Sequence, residues 1–576
     1  SLVKRRLLRE DPEGGVYDFN HDKVREVVYC DIGLARRVLL HRAVAEMLER
    51  QTHSEAHQRD ARLAEHYERG KVWPKALLYL GLAAEHAQKL FAMRESLQWF
   101  DRAVDLLQAH PEAADPAHQL ALYERRGEAR AQAGQVEGAV ADFRRVIDAA
   151  RALGQHGQAR DALIQLGMAL RRADAYEQAI ACLNEALQAS RAMGDERHAA
   201  DALYHLGTVA WSNGRNDLAI SHHQQAVEIC ERLALTDLVA VQAFHGRGEA
   251  HFADAEPAAA IASFSRSLDL ARGIGDKSYE SENLMMIGWA CTGAMGLADY
   301  PRALSHFDAA LAIARAADLQ WHLGPTLIGR ANVKVALGMC GEAWADLNEV
   351  LPRLETLGLH RYQIMAHDAL GCLFLDLNLP EQALQHFQQG LGLAHHAGIQ
   401  YWLPRLQADL AIAQLRLGAP CDQAALQAAW QYAQDHSEVW LTLRCLEALA
   451  ESALAKGDAQ GCITYADQLL VLASRGDLRE LIGAAHHLRG LAHLMLYAYE
   501  SARHELTLAV TLAEQIGRIR LAWACQLALA RVAAALEDKG AHSGSEGRAR
   551  ELADRMAKSL GGSGLTFNPE SNQGRG

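Results

Sequence analysis

Long apolar runs are missing from this chain, and with them the simplest route into a membrane. No stretch of its 576 residues approaches the ~18 consecutive apolar residues of a spanning helix, and no basic start followed by an apolar run marks a signal peptide. Proline is scarce at 12 residues and aromatics reach only 6%, so helix breakers and the usual material of β-sandwich cores are both in short supply. The ten cysteines never form a C-x-x-C pair, which excludes the common zinc and redox spacings. They fall mostly inside apolar stretches, as small core residues of a protein in a reducing compartment, and the expected location is the cytoplasm. Basic residues are outnumbered, 58 against 71 acidic, for a formal charge of −13. A mean field of that sign opposes binding to a phosphate backbone, so nucleic acid is not an expected partner, and neither is a membrane.

Catalytic signatures are missing as well. GIGDKS at 273–278 has a Lys–Ser pair but neither the G-x-x-x-x-G-K-[ST] spacing nor the buried strand that a phosphate loop requires. The pairs His222–His223, His395–His396 and His486–His487 put adjacent rings about 100° apart on a helix, and no H-E-x-x-H follows. No Ser or Cys sits in a G-x-S-x-G elbow. No catalytic, cofactor-binding or metal-binding residue is therefore assigned, and no cofactor is expected.

What is present is a period. Apolar residues make up 50% of the chain, Ala and Leu dominate, and no composition break separates domains. The segments ALIQLGMALRRADAYEQAIACLNEAL from Ala162 and ALYHLGTVAWSNGRNDLAISHHQQAV from Ala202 align without gaps. A Gly recurs at 127, 167, 207, 248, 288, 371 and 490. An Ala follows about twelve residues later, at 139, 179, 219, 260, 303, 343, 383 and 502, with weaker anchors near Ala425 and Cys462. From Ala139 to Ala383 the intervals are 40, 40, 41, 43, 40 and 40. Small residues at the crossing of two antiparallel helices let the backbones approach, while Leu and Ile at i, i+3 and i+4 fill the seam. Turns carrying Gly134, Gly214, Gly338 and Gly457 end the first helix of a unit.

With an aromatic or His four residues after the Ala (Phe143, His223, Phe264, Phe307, Phe387), the pattern over about 117–530 resembles the tetratricopeptide repeat family. The unit is longer than the usual ~34 residues. The resemblance implies an all-α fold, a right-handed solenoid of about ten helix pairs with extended ~40-residue repeats, and a concave groove that binds a protein, a peptide or a small-molecule effector. First-helix positions three before, one after and four after the small residue line such a groove: here Arg171, Tyr204, Trp211, His245, Glu249, Phe252, Trp289 and Asp368. Tyr204, Trp211, Phe252 and Trp289 form either a recognition stripe or ordinary packing between helices. The segment CTGAMGLADYP at 291–301, three residues longer than its equivalents, is either part of a binding face or simple drift.

Residues 1–53 do not follow the period. Leu7–Arg9 and Val16–Phe19 are expected strands around the turn residues 11–15. Val24, Val27, Val28 and Ile32 mark one apolar helix face, and Leu40, Val44 and Leu48 the next. YDFNHDKVREVVY at 17–29 and RRVLLHRAVAEMLE at 36–49 resemble the end of the winged-helix module of STAND-type signalling ATPases, where it meets a helical sensor. That resemblance implies a linked ATPase, oligomerisation of the full-length protein, and a phosphate-reading role for His21; from its own residues, His21 caps a helix or packs locally. The start at Ser1, without Met, fits a piece of something longer. The expected organisation is thus a partial winged-helix segment over 1–53, a helical adaptor over 54–116, the repeat array over 117–536, and over 537–576 a short helix near 546–559 with a disordered tail.

Overall fold

The computed structural model describes residues 8–10, 17–19, 21–50, 56–89, 92–213, 215–293 and 295–569. The expected wing turn at 11–15 and Gly214 lie outside the described residues. The chain falls into two compact units, Ser1–His205 and Leu206–Gly576, which meet inside the helix Glu196–Ser212.

The first unit opens with a two-stranded antiparallel hairpin, Leu8–Glu10 against Tyr17–Phe19, with Leu8 opposite Phe19 and Glu10 opposite Tyr17. Helices Asp22–Asp31 and Leu34–Arg50 follow. Three more helices, Ala56–Arg69, Trp73–Lys89 and Met93–Ala109, lead into regular pairs, Pro116–Gln132 with Val136–Ala152 and His156–Arg172 with Tyr176–Ala192. The second unit continues the pairing through Leu238–Ala253 with Pro257–Ile274, Lys277–Ala290 with Tyr300–Ala316, Gln320–Ala336 with Cys340–Thr356, and His360–Asp376 with Pro380–His396. It ends with Leu403–Leu417 and Gln423–Asp435, Val439–Ala455 and Ala459–Arg475, Arg479–Met495 and Tyr499–Ile516, and Ile519–Ala535 with Lys539–Ser559. The chain is an all-helical solenoid of tetratricopeptide-like pairs, preceded by the hairpin segment.

The recurring glycines have a direct steric reason. A Cβ built on Gly127 would stand 2.9 Å from the Phe143 ring, on Gly207 2.6 Å from the His223 ring, and on Gly248 2.6 Å from the Phe264 ring. Each glycine therefore makes room for the ring that the second helix of its own pair lays across it. Where that residue is Leu183 or Leu506, Gly167 and Gly490 are pressed equally closely. Phe143, Phe264, Phe307 and Phe387 are all fully buried there. Gly134, Gly338 and Gly457 close turns at φ 75°, 74° and 79°, in the left-handed region open to glycine.

The last segment departs from expectation. The final helix is 21 residues long, not a short one at 546–559, and packs as the partner of Ile519–Ala535. The residues after it are not free up to the limit of description. Leu565 and Phe567 join the apolar core, Phe567 meets Trp523 edge-on at 5.6 Å, and Asn568 donates its N–H to the Leu377 carbonyl at 3.2 Å. Asn378, at φ 60°, donates its side-chain amide to the Asn568 carbonyl at 2.7 Å. The Gly- and Ser-rich composition concealed two apolar anchors, Leu565 and Phe567, enough to dock the segment.

The second unit also ties itself together over long sequence separations. Trp440 donates its indole N–H to the Phe252 carbonyl at 2.8 Å, with their rings 5.8 Å apart. The Tyr300 hydroxyl donates to Glu480 at 2.6 Å, and Arg518 bridges Glu480 at 2.7 Å to Asp376. Six cysteines, at 230, 291, 340, 445, 462 and 525, are buried, three are half-buried, and Cys30 is exposed. Among the described residues no helix is long and apolar enough to cross a membrane.

Candidate functional site

Within the second unit the first helices of successive pairs touch one another from Leu238–Ala253 to His360–Asp376 and again from Leu403–Leu417 to Ile519–Ala535, and Arg405 reaches Asp368 between the two runs. The early part of this surface is built from the helices Leu238–Ala253, Lys277–Ala290 and Gln320–Ala336. His245 is 3% exposed and hydrogen-bonds through Nδ1 to Asn283 Oδ1 at 3.0 Å, while its Nε2 lies 3.7 Å from Glu249 and 3.9 Å from Glu282. Asn283 in turn donates to Ser267 Oγ at 3.0 Å and to the Tyr279 carbonyl at 2.8 Å. Burial pulls the His245 pKa down, but the two carboxylates and the hydrogen bonds outweigh it and raise it to about 9, so the imidazolium is the form held at neutral pH.

The expected aromatic stripe does not stand open. Trp289 is 9% exposed and sits edge-on against Phe307 at 5.8 Å, inside the apolar core. Phe252 is half-buried under Trp440, and Trp211 packs beside Ala210, Ala219 and Ala250. Of the two readings, packing between helices describes Trp289 and Phe252; the large rings are drawn into the seams by the area they bury. Glu249 belongs to the His245 network. In the first unit, Arg171 is half-buried and the Tyr204 ring lies 4.8 Å from His205. His21 occupies the N-cap of the helix Asp22–Asp31, is exposed, and makes no capping hydrogen bond through its side chain.

The later part of the same surface is charged, and of the expected residues it holds Asp368 alone. Asp368 lies 3.4 Å from Arg405, and the fully buried Asp409 accepts from Arg444 Nε at 2.6 Å with Arg405 at 3.7 Å. Arg444 also reaches Glu447 at 2.6 Å, and Arg416 pairs with Glu451 at 3.0 Å. Burial, opposed by Arg405 and reinforced by Asp409, raises Asp368 to about 7. For Asp409 burial acts upward too, but Arg444 and Arg405 hold it below the usual carboxylate range. The two carboxyls are driven apart in the way that lets one proton reside between them. Arg405, Arg416, Arg444 and Glu451 were not picked out from the sequence. Their signal is a row of charges at helical spacing on otherwise apolar helices, Arg405, Asp409 and Arg416 at i, i+4 and i+11, and Arg444, Glu447 and Glu451 at i, i+3 and i+7. It falls where the repeat intervals become irregular, so the position rule that found Asp368 could not be carried on.

Among the described residues no cluster of three or more His, Cys, Asp or Glu is placed to hold a metal ion.

Residues 161–193 and 198–273 match models of the tetratricopeptide repeat, so this part of the chain consists of such repeats, whose general role is protein–protein interaction. No curated protein sequence matches the chain. Among solved structures it is similar to a Rap protein complexed with competence and sporulation factor, at 15% identity over 63% of this chain and 99% of that one, with a TM-score of 0.47. It is also similar to a signal transduction ATPase with numerous domains carrying a tetratricopeptide repeat sensor, from Pyrococcus horikoshii. There the identity is 16% over 79% of this chain and 59% of that one, with a TM-score of 0.42. A third is the APC/C hetero-tetramer Cut9–Hcn1, at 14% identity over 86% of this chain and 99% of that one, TM-score 0.41.

Proposed function

We propose that this chain is the ligand- or partner-binding sensor of a STAND-type signalling ATPase, and that occupation of the inner helix face shifts the linked enzyme between an off state and an assembled on state. The observation that carries the reading is the juxtaposition of a repeat array with a segment that does not belong to it. The helices Asp22–Asp31 and Leu34–Arg50 leave Val27 61%, Leu34 66%, Leu39 63% and Met47 53% exposed. Apolar residues of that size, clustered on two short helices, suit a surface covered by a neighbouring module. A ligand acts on such a system only through different affinities for the two states. No catalytic step is assigned to the chain itself. The cytoplasm, where the linked nucleotide is at hand, is the location proposed.

The test is nucleotide turnover and oligomeric size of the full-length protein with candidate peptides or effectors present. A stimulus abolished by Arg444→Gln supports the sensor, whereas turnover and size indifferent to every bound partner would sink it. A passive scaffold is the second reading, and a specific feature favours it: the ties Trp440–Phe252, Tyr300–Glu480 and Arg518–Asp376 brace the second unit against rearrangement.

A further inference from the structure

Arg520, the second residue of the helix Ile519–Ala535, is 8% exposed, yet among the described residues no carboxylate forms an ion pair with it, and its enclosed Nε has no hydrogen-bond partner. A buried guanidinium is ordinarily paired, because stranding its charge away from water costs several kcal/mol. The carboxylates whose charges act on it are already engaged: Glu451 with Arg416 at 3.0 Å, and Asp376 with Arg518, whose Nη2 lies 3.1 Å away. Arg520 is thus left, among the described residues, with no ion-pair partner of its own. His487 does not relieve it; its Nδ1 faces Cys525 Sγ at 3.3 Å, and burial first, then Arg520 and Arg416, hold its pKa down at about 4. Burial first, then Arg416 and, more weakly, Arg518 depress Arg520 to about 9.

The guanidinium is also held in place. Its Cζ lies 4.4 Å from the centre of the Trp523 ring, and Trp523 is itself fixed by the edge of Phe567 at 5.6 Å. A stacked, planar fork with its hydrogen-bonding capacity unspent is the arrangement that receives an oxyanion in two parallel hydrogen bonds.

We propose that Arg520, stacked on Trp523 and flanked by the paired Arg416 and Arg518, is the receptor for an oxyanion on the inner face of the second unit, a carboxylate or a phosphate group of the ligand this surface binds. This deepens the ligand-binding reading by naming the chemistry of the ligand, and it rests on that reading only for the meaning of the site, not for its existence.

The test is calorimetric titration of the full chain with acetate, with succinate and with inorganic phosphate, at constant ionic strength held by chloride. Saturable binding of an oxyanion is expected, weakened more than ~10-fold in Arg520→Gln and only partly in Arg520→Lys, which keeps the charge but not the fork. Preference for the carboxylates identifies an acidic or peptide-like ligand; preference for phosphate identifies a phosphorylated one. Since a buried unpaired charge destabilises the protein in the absence of its partner, Arg520→Met should melt higher than the parent without anion and gain nothing from adding it. Binding that is absent in the parent chain, or unchanged in Arg520→Gln, overturns the proposal. A full-length protein whose ATPase ignores the same bound oxyanion overturns the sensor reading and leaves this one standing.

Discussion

The early and late repeats of the second unit share one helix-pair geometry and fill it with opposite chemistry. Around Gly248, Gly288 and Gly329 the seams hold Phe264, Phe307 and Trp289, apolar rings laid on glycine, with enclosed polar networks at His245 and at Asp346, which pairs with Arg330 and Lys334. From Asp368 onward the inner face instead carries Arg405, Asp409, Arg416, Arg444, Glu447 and Glu451 in chains of ion pairs. The small-residue period governs how two helices approach, and it leaves free what the first helices present to one another. Both halves are stabilised by area removed from water, as where Phe387 lies on Gly371, but in the later one a longer chain of enclosed charges must also be matched.

The sharpest way to test that contrast is a pair of truncations. Phe307→Ala is expected to cost about 3–5 kcal/mol through the lost ring and the cavity between Gly288 and Gly329. Asp409→Ala should cost about as much, by leaving the enclosed Arg444 and Arg405 with only Glu447 and Asp368 to match them. Urea unfolding separates the mechanisms, since replacing Asp368, Arg405, Asp409 and Arg444 together by apolar residues should recover stability, whereas no second substitution rescues Phe307 so readily. If the fourfold variant is as damaged as Asp409→Ala alone, the charged half is held by something other than its ion pairs.

A pH series comes next. Asp368 rises from 3.8 to about 7 on folding, so the folded state binds its proton more tightly than the unfolded chain. The resulting stability is complete below the unfolded value and is lost as the pH climbs through about 7. His245 behaves the same way higher up: raised from 6.5 to about 9, its contribution is full below 6.5 and disappears as the pH passes 9. Urea midpoints from pH 4 to 10 should therefore fall in two windows, with Asp368→Asn removing the lower and His245→Gln the upper. A single window unaffected by Asp368→Asn would break the carboxyl pairing.

The smallest effects concern the long-range ties. Trp440→Phe keeps the ring over Phe252 and removes one hydrogen bond, for a loss of about 1 kcal/mol, and Asn378→Ala should cost a similar amount by releasing the Asn568 carbonyl. Amide hydrogen exchange should show the second loss confined to the final helix and the residues after it, while the first reaches both the Phe252 and the Trp440 helices.

Much of the architecture was legible because its cause is local. Gly and Ala recur at the closest approach of two helices within one pair, and that contact joins residues about sixteen positions apart, such as Gly127 with Phe143, a distance a period reveals. The candidate site was legible only in part. His245, Glu249 and Asp368 belong to polar clusters, whereas for Trp289 and Phe252 the sequence leaves a recognition stripe and ordinary packing open and the structure encloses both, since side-chain spacing says which face a residue occupies and not what covers it. Composition alone reads residues 565–568 as disordered, although Leu565 and Phe567 find partners elsewhere in the same unit.

The sequence by itself therefore determined the helix pairs, their repeat length and their small-residue seams, because each depends on neighbours within a few turns of helix. Only the tertiary structure decided that Arg518 joins Asp376 to Glu480, that Trp440 caps Phe252, and that no carboxylate among the described residues forms an ion pair with Arg520. Those outcomes depend on which residues, 35 to 190 positions apart, compete for the same few carboxylates and carbonyls in an enclosed space. No period in the chain records the result of that competition.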